Sequence, residues 1–232
     1  IYNSKEIKKY LQEDEVNLEE AVDVDRYPIA ENKRPRLCVD RLDGILTTSF
    51  IWTDLITLND VKKIYESITI LKNEDGNDEI GFKDIISADF FFKVVYKFSI
   101  LLQQNEDKFI MKLLADILRK GIKEKLITLE DLYILSEEEI INRIKSSHLS
   151  NIWCKFENLK DLINSDEKPS NYYYISFDSK KMHVVPLCVN EKNKICRLNE
   201  CSFVSGKLLQ NFLNYKDKKY CYIKNILMNE IE

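Results

Sequence analysis

Histidine and glycine are both scarce in this chain, which has two histidines and five glycines among 232 residues. Neither histidine, His148 or His183, is followed by aspartate, and no glycine-rich phosphate loop occurs. A Gly-x-Ser-x-Gly turn and a cysteine-histidine dyad are missing as well. These absences give no support to P-loop nucleotide binding or to the common serine and cysteine nucleophiles.

Long apolar runs and a large net charge are also missing. No stretch reaches about 18 apolar residues, and the first residues lack the apolar core of a signal peptide. Basic and acidic residues nearly balance, with 35 against 39, so no general field attracts nucleic acid. We therefore expect a cytoplasmic protein that does not contact a membrane. Nucleic acid is not an expected partner, and association into a homo-oligomer is left open.

The six cysteines are scattered, and no two of them form a Cys-x-x-Cys pair. Cys196 and Cys201, with four residues between them, come closest to half of a zinc site. No second half and no nearby pair of histidines follows. We expect reduced thiols, as in most cytosolic proteins.

Apolar residues recur at helical spacing over most of the first 165 residues. Helices are predicted over residues 59–71 and, as the aromatic-rich centre of the fold, over residues 82–104. Beyond Pro169 the composition shifts to β-branched and aromatic residues, and a hairpin is predicted with strands over 172–177 and 182–185. The predicted fold is mainly α, with a helical body over residues 1–165 and a small α+β subdomain over residues 166–232.

The most informative segment covers residues 37–46, where Asp40, Arg41 and Asp43 interrupt apolar residues at helical spacing. A helix is predicted here over residues 35–52, with a proline in its first turn. A lone carboxylate is costly to bury on an apolar helix. Three interpretations are open: a metal ion compensates the charge, Arg41 or a neighbouring lysine pairs with it, or the polar side faces solvent.

The run Tyr27-Pro28-Ile29-Ala30, then Pro35, then Asp40-Arg41-Leu42-Asp43 resembles the last catalytic segment of the HD-domain phosphohydrolases. The likeness continues through Asn73-Glu74-Asp75-Gly76 into the C-terminal strands and so covers most of the chain. In that superfamily, which includes the dNTP triphosphohydrolases, this helix supplies the final aspartate of a His, His-Asp, Asp metal site. The resemblance implies that the helical body is HD-like.

By this resemblance Asp40 is a catalytic residue that ligates a divalent ion, with Mn, Mg, Fe, Ni and Zn all left open. Arg41 matches the family's basic position, where it would act in catalysis and bind the substrate phosphate; a salt bridge to Asp43 or another acid is the alternative. Lys33 and Arg36, in the basic stretch before the motif, would also bind a phosphorylated substrate, unless this stretch is a solvated loop.

Gly44 departs from the family pattern, in which an aromatic residue often stands near the substrate at this position. A glycine within a helix costs about 1 kcal/mol relative to alanine, which suggests close packing or a relaxed functional constraint.

The missing histidines imply that the other metal ligands lie outside this sequence. Because the sequence begins at Ile1 without a methionine, we expect these ligands in an N-terminal segment of the same protein. The predicted function is that of the C-terminal part of a metal-dependent HD phosphohydrolase, inactive without that segment, which hydrolyses a phosphate ester or anhydride, with nucleotides as one candidate class. The alternative is a non-catalytic helical interaction or regulatory module whose HD site has decayed.

Overall fold

The structure is a computed structural model that describes residues 4–176, 178 and 180–231, apart from the side chain of Asp25. It is 52% helical and 14% strand, and the described strands form two small sheets. The fold is mixed α+β, so the prediction of a mainly α fold, with an HD-like helical body followed by an α+β appendage, is wrong. The reason is that a β-hairpin already lies within the stretch predicted to be helical.

Helices alternate with short strands along the chain. The α-helices are α1 (Lys5–Glu13), α2 (Leu18–Val22), α3 (Val39–Thr47), α4 (Leu58–Ser67), α5 (Ile85–Leu101), α6 (Asn105–Lys123), α7 (Asp131–Ile134), α8 (Glu137–Lys145), α9 (Ser150–Glu157), α10 (Leu198–Cys201) and α11 (Phe203–Asn214). The strands are β1 (Ile68–Lys72), β2 (Asp78–Phe82), β3 (Ile163–Ser165), β4 (Tyr172–Ile175), β5 (Leu187–Val189), β6 (Ile195–Arg197) and β7 (Tyr220–Leu227). A π-helical turn over Thr48–Trp52 follows α3, and 3₁₀ turns cover Val24–Arg26 and Met228–Glu230. None of the described helices combines the length and the apolar character that crossing a membrane requires.

The chain divides into two compact units. The first contains the residues up to Ser99 together with Lys181–Asn214. The second contains Ile100–Lys180 together with the residues from Tyr215 onward. The predicted boundary between residues 165 and 166 lies inside the second unit.

The first unit holds a four-stranded sheet in the order β1-β2-β5-β6. β1 and β2 form an antiparallel hairpin, β5 is parallel to β2, and β6 is antiparallel to β5. In the hairpin turn, the Asn73 side-chain oxygen accepts the N–H groups of Asp75 and Asn77, at 3.0 Å each. Gly81 allows the close approach of β5, because a Cβ atom there would lie 2.8 Å from the carbonyl oxygen of Leu187.

The helix predicted over residues 59–71 ends earlier than expected. α4 begins with a capping box between Thr57 and Asp60, and it ends at Ser67. The apolar residues that follow continue the helical spacing, but they belong to β1 and pair with β2. The predicted helix is therefore a helix followed by a strand.

The core of the first unit packs around α5, the aromatic helix predicted over residues 82–104. The ring centroids of Phe91 in α5 and Phe82 in β2 are 5.2 Å apart, and both residues are fully buried. The same cluster contains three leucines from the segment that carries Asp40: Leu37, Leu42 and Leu46. The apolar side of that segment is thus buried, as its helical spacing indicates.

The second unit packs helices against a three-stranded antiparallel sheet in the order β3-β7-β4. α6 supplies three fully buried residues to its core: Phe109, Leu113 and Ile117. α8 begins with a capping box between Ser136 and Glu139. The other face of the sheet carries four half-buried tyrosines: Tyr172, Tyr174, Tyr220 and Tyr222.

The hairpin predicted between residues 172–177 and 182–185 is not formed. β4 pairs with β7, far along the chain, and not with the segment that follows it. Residues 182–186 belong to the first unit and adopt no regular secondary structure. Phe177, at the end of the predicted strand, lies outside the described residues.

Candidate functional site around Asp40

The helix that carries Asp40 begins at Val39, later than the predicted start at Pro35. The N–H groups of Val39 and Asp40 donate to the carbonyl oxygens of Ile29 and Ala30, at 2.8 and 3.3 Å. A helix leaves its first N–H groups without partners inside the helix, so the preceding loop supplies them here. These two bonds hold the loop against the first turn of α3.

Arg41 fixes the same loop from the side. Its side chain is 9% exposed and donates to the Asn32 side-chain oxygen at 2.5 Å and to the Arg36 carbonyl at 2.8 Å. It also donates to the Glu31 carboxylate and to the Asn32 carbonyl. The salt bridge of Arg41 is thus made with Glu31 and not with Asp43. A guanidinium with this many bonds inside the chain has few of its five N–H donors left for a phosphate.

The Asp40 side chain is exposed, and it has no hydrogen bond or ion pair among the residues that the structure describes. Asp43 is also exposed, and the Thr47 hydroxyl lies 3.5 Å from its carboxylate. The polar side of α3 therefore faces solvent. Because these carboxylates are exposed, neither a metal ion nor an ion pair is needed to compensate a buried charge. The third interpretation, a polar side that faces solvent, agrees with this exposure.

Asp40 belongs to a group of potential metal ligands. The ligand atoms of Glu31, Cys38 and Asp40 all lie within 4.8 Å of one another. Glu31 is already engaged, because its carboxylate accepts from Arg41 and from the N–H of Asn32 at 2.8 Å. Cys38 is fully buried, with its sulfur 3.9 Å from the Glu31 carboxylate. Asp40 is the member that offers a free carboxylate to the solvent.

In the basic stretch before α3, Arg36 forms ion pairs within the chain, whereas the side chain of Lys33 does not. Arg36 pairs with Asp75, and its guanidinium lies 3.9 Å from the Glu74 carboxylate and 3.8 Å from that of Glu79. Lys33 is exposed, and its side-chain ammonium has no hydrogen bond or ion pair in the described part of the chain. Among the residues predicted to bind substrate, Lys33 is the one whose charge is unengaged.

Sequence reasoning missed an ion-pair network next to Leu37, in which Arg197 and Glu79 are buried and Glu74 is exposed. Arg197 in β6 donates to both oxygens of Glu79 in β2, at 2.5 and 2.8 Å, and to both oxygens of Glu74, also at 2.5 and 2.8 Å. Glu79 is fully buried and accepts the N–H of Leu37 at 3.3 Å. The sequence signal that could have revealed this network is that an acidic residue, Glu79, is followed by apolar residues in a segment that forms a strand.

The network keeps Glu74 charged. Hydrogen bonds from Arg197 lower the pKa of Glu74 from 4.5 to about 2, against the opposing effect of partial burial. Burial acts to lower the pKa of Arg197, but its bonds to the two glutamates more than offset this effect and raise that pKa. The ion pair between Glu74 and Arg197 therefore persists through neutral pH. The network as a whole ties the hairpin turn and β6 to the start of the Asp40 segment.

Gly44 lies one helical turn beyond Asp40 and on the same side of α3, because residues four apart share a helix face. A Cβ atom added there would find no atom within 4 Å. The close packing suggested for this glycine is therefore not present. The face next to Asp40 is open.

Neither histidine belongs to the Asp40 group. His148 lies in the second unit, where its Nε2 is 2.6 Å from the Glu124 carboxylate. His183 lies in the first unit, with its ring centroid 6.3 Å from that of Phe212, and burial lowers its pKa. Within the described ranges, no group of potential metal ligands contains a histidine.

Comparison with protein-family models and with curated proteins identifies no relative. No protein-family model matches the chain, and no curated protein matches it. The resemblance to the HD phosphohydrolases thus rests on the sequence motif alone and stays a prediction.

The arrangement around Asp40 is suited to cation binding. Hard divalent ions prefer carboxylate oxygens, and the Asp40 carboxylate is both exposed and held on a braced helix start. One carboxylate cannot complete a coordination sphere. The described residues therefore fit a divalent ion at Asp40 when further ligands come from elsewhere.

Proposed function

We propose that this chain is the C-terminal part of a metal-dependent HD phosphohydrolase, with Asp40 as one ligand of a divalent ion. The observation that supports this proposal is the contrast between two neighbouring residues. Arg41 is locked into the loop, whereas Asp40 is exposed and unpaired among the described residues. A metal ligand needs a coordinating atom that no other group occupies, and here the backbone that carries Asp40 is held in place by the loop.

Each residue has a defined part in this proposal. Asp40 binds the ion, which when bound lowers the pKa of a bound water and polarises a phosphoryl oxygen. Lys33 contacts the substrate phosphate as an exposed cation. Arg36 and Arg41 position the loop, because their guanidinium groups are engaged within the chain.

The proposal also implies partners beyond the described residues. The remaining metal ligands come from residues outside this sequence, in an N-terminal segment of the same protein. The substrate is a phosphate ester or anhydride, with nucleotides as the first class to test. The reaction takes place in the cytoplasm.

The test compares Asp40→Asn with Asp43→Asn in the complete natural protein that contains this sequence. Both positions are exposed on α3, so both variants should fold, and circular dichroism verifies this. Wild type and Asp43→Asn are expected to retain Mn²⁺ after dialysis and to release phosphate from a panel of nucleotides. Asp40→Asn should lose more than the roughly 10–100-fold in metal affinity that removal of an outer-shell partner costs. Unchanged Mn²⁺ content and rate in Asp40→Asn would reject Asp40 as a ligand.

Residues 1–232 alone provide a second measurement. They are expected to show no phosphohydrolase activity with any added divalent ion, because one carboxylate cannot hold the metal. Metal-dependent activity from this chain alone would contradict the requirement for ligands outside it.

A non-catalytic interaction or regulatory module is the second candidate. The engaged Arg41 and the open space at Gly44 favour it, because neither provides the substrate contact that the family resemblance implies. Under this candidate the complete protein retains no Mn²⁺ and hydrolyses no nucleotide of the panel. The Asp40→Asn and Asp43→Asn variants would then be indistinguishable.

A further inference from the structure

Three of the six cysteines lie together in the first unit, outside the Asp40 group. Cys188 and Cys196 face each other across β5 and β6, and Cys201 is the last residue of α10. The sulfur of Cys188 lies 3.4 Å from that of Cys201 and 3.9 Å from that of Cys196. All three sulfur atoms lie within 4.8 Å of one another, and all are free thiols.

Local structure brings these sulfur atoms together. The Asn190 side-chain oxygen accepts two backbone N–H groups of the turn between β5 and β6, at 2.9 and 3.0 Å. This turn sets the register in which Cys188 is opposite Cys196. α10 starts at the fully buried Leu198, directly after β6, and its single turn returns Cys201 to the other two cysteines.

The spacing agrees with a thiolate metal site. Zinc–sulfur bonds of about 2.3 Å in tetrahedral geometry place two sulfur ligands about 3.8 Å apart. The separations of 3.4 and 3.9 Å from the Cys188 sulfur lie on either side of that value. A disulfide would need a separation of about 2.05 Å.

The donors also select the kind of ion. In the part of the chain that the structure describes, this group contains neither a carboxylate nor an imidazole. Three sulfur donors favour a thiophilic ion such as Zn²⁺ over Mg²⁺ or Mn²⁺, which prefer oxygen.

The cluster is sheltered but accessible. Cys188 is fully buried, whereas Cys196 and Cys201 are half-buried. Cys201 also lines a surface cavity of about 630 Å³ formed by α10 and the start of α11. The cluster thus borders this cavity through Cys201, and the cavity has space for a water molecule or a small ligand.

We propose that Cys188, Cys196 and Cys201 bind one Zn²⁺ ion as thiolates, with the fourth coordination position open towards this cavity. As the zinc–sulfur bonds form, the thiol protons are released to the solvent. The site shares no residue with the Asp40 group. The zinc site and the phosphohydrolase activity are therefore separate proposals, and the failure of one leaves the other unaffected.

Co²⁺ is the probe, because its thiolate complexes absorb in the near ultraviolet and its tetrahedral complexes absorb in the visible range. The reduced chain is titrated with Co²⁺ in the absence of oxygen, and saturation is expected at one ion per chain. Added Zn²⁺ should then bleach both bands. Cys196→Ser and Cys201→Ser should weaken binding by more than about 100-fold, since a direct ligand contributes more than an outer-shell partner. These half-buried positions carry the test because substitution of the fully buried Cys188 risks the fold itself.

Three variants serve as controls for the position of the ion. Cys154→Ser removes an exposed cysteine of the second unit, and Cys38→Ser and Asp40→Asn alter the other group of potential ligands. All three are expected to keep the bands. No thiolate absorption at equimolar Co²⁺ would overturn the proposal, as would bands that Cys196→Ser and Cys201→Ser leave unchanged. Bands lost in Asp40→Asn, or in a Cys38→Ser variant whose circular dichroism matches that of the wild type, would assign the ion to the other group and would overturn it too.

Discussion

Replacement of Arg197 by methionine is expected to destabilise the first unit strongly. Glu79 is fully buried and Arg197 is 9% exposed, so solvent screens little of their interaction. Methionine occupies part of the same space but cannot bond to Glu79, which is left in the core without its main partner. Removing one member of a buried ion pair typically costs about 3–5 kcal/mol.

The lower end of that range applies because Glu79 keeps other contacts. Its carboxylate accepts the N–H of Leu37 and the side-chain amide of Asn73, both at 3.3 Å, and the Arg36 guanidinium lies at 3.8 Å. We therefore expect a loss of about 3 kcal/mol in the free energy of unfolding. The double variant Glu79→Leu with Arg197→Met should recover most of it, because the main cost is the unpaired buried charge.

Amide hydrogen exchange in β2 and β6, followed by mass spectrometry, measures the free energy of opening in each variant. Arg119→Met is the matched control: Arg119 pairs with Asp116 near the surface of the second unit, and its loss should cost less than about 1 kcal/mol. A loss below about 1 kcal/mol in Arg197→Met would refute the reasoning. A double variant less stable than Arg197→Met would refute it as well.

Three further predictions concern the same unit. Gly44→Ala should raise the free energy of unfolding in urea by about 0.5–1 kcal/mol, because helix propensity improves where nothing lies within 4 Å; an unchanged or lower value would contradict this. Arg41→Met should release the loop over residues 27–36, which limited proteolysis detects as new cleavage there, whereas continued protection would show that Arg41 does not brace it. The folded pKa of Glu74, about 2, lies below its ordinary 4.5, so its contribution to stability is present above pH 4.5 and is lost as the pH falls through about 2. Acid unfolding followed by circular dichroism should lack this component in Arg197→Met, and an identical acid profile in both proteins would count against it.

The helices could be predicted from local patterns, whereas the strand partners could not. α5 and α6 follow from apolar residues at helical spacing, and α8 follows from such spacing together with its capping box. Ile68 and Leu71 fit helical spacing equally well, and their pairing with β2 is what makes them a strand. Strand formation depends on neighbours that are distant in sequence, which the local pattern does not identify.

At the candidate site, the sequence located the segment but not its contacts. Apolar spacing placed the leucines of α3 in the core, and the structure agrees. The same spacing could not show that Arg41 pairs with Glu31, because the path of the intervening loop is not encoded in a helical pattern. Cys188 was missed for a similar reason: it approaches Cys196 through strand register, not through close spacing in the sequence.

The separation of 118 residues between Glu79 and Arg197 has a consequence for synthesis on the ribosome. The chain emerges from its N-terminus, and all of Ile100–Lys180 must follow β2 before β5 and β6 appear. During that interval β2 has β1 as its one strand partner, and Glu79 has no Arg197. The nascent first unit is thus expected to stay open until its last quarter, Lys181–Asn214, emerges, and to close late, when β5 and β6 arrive.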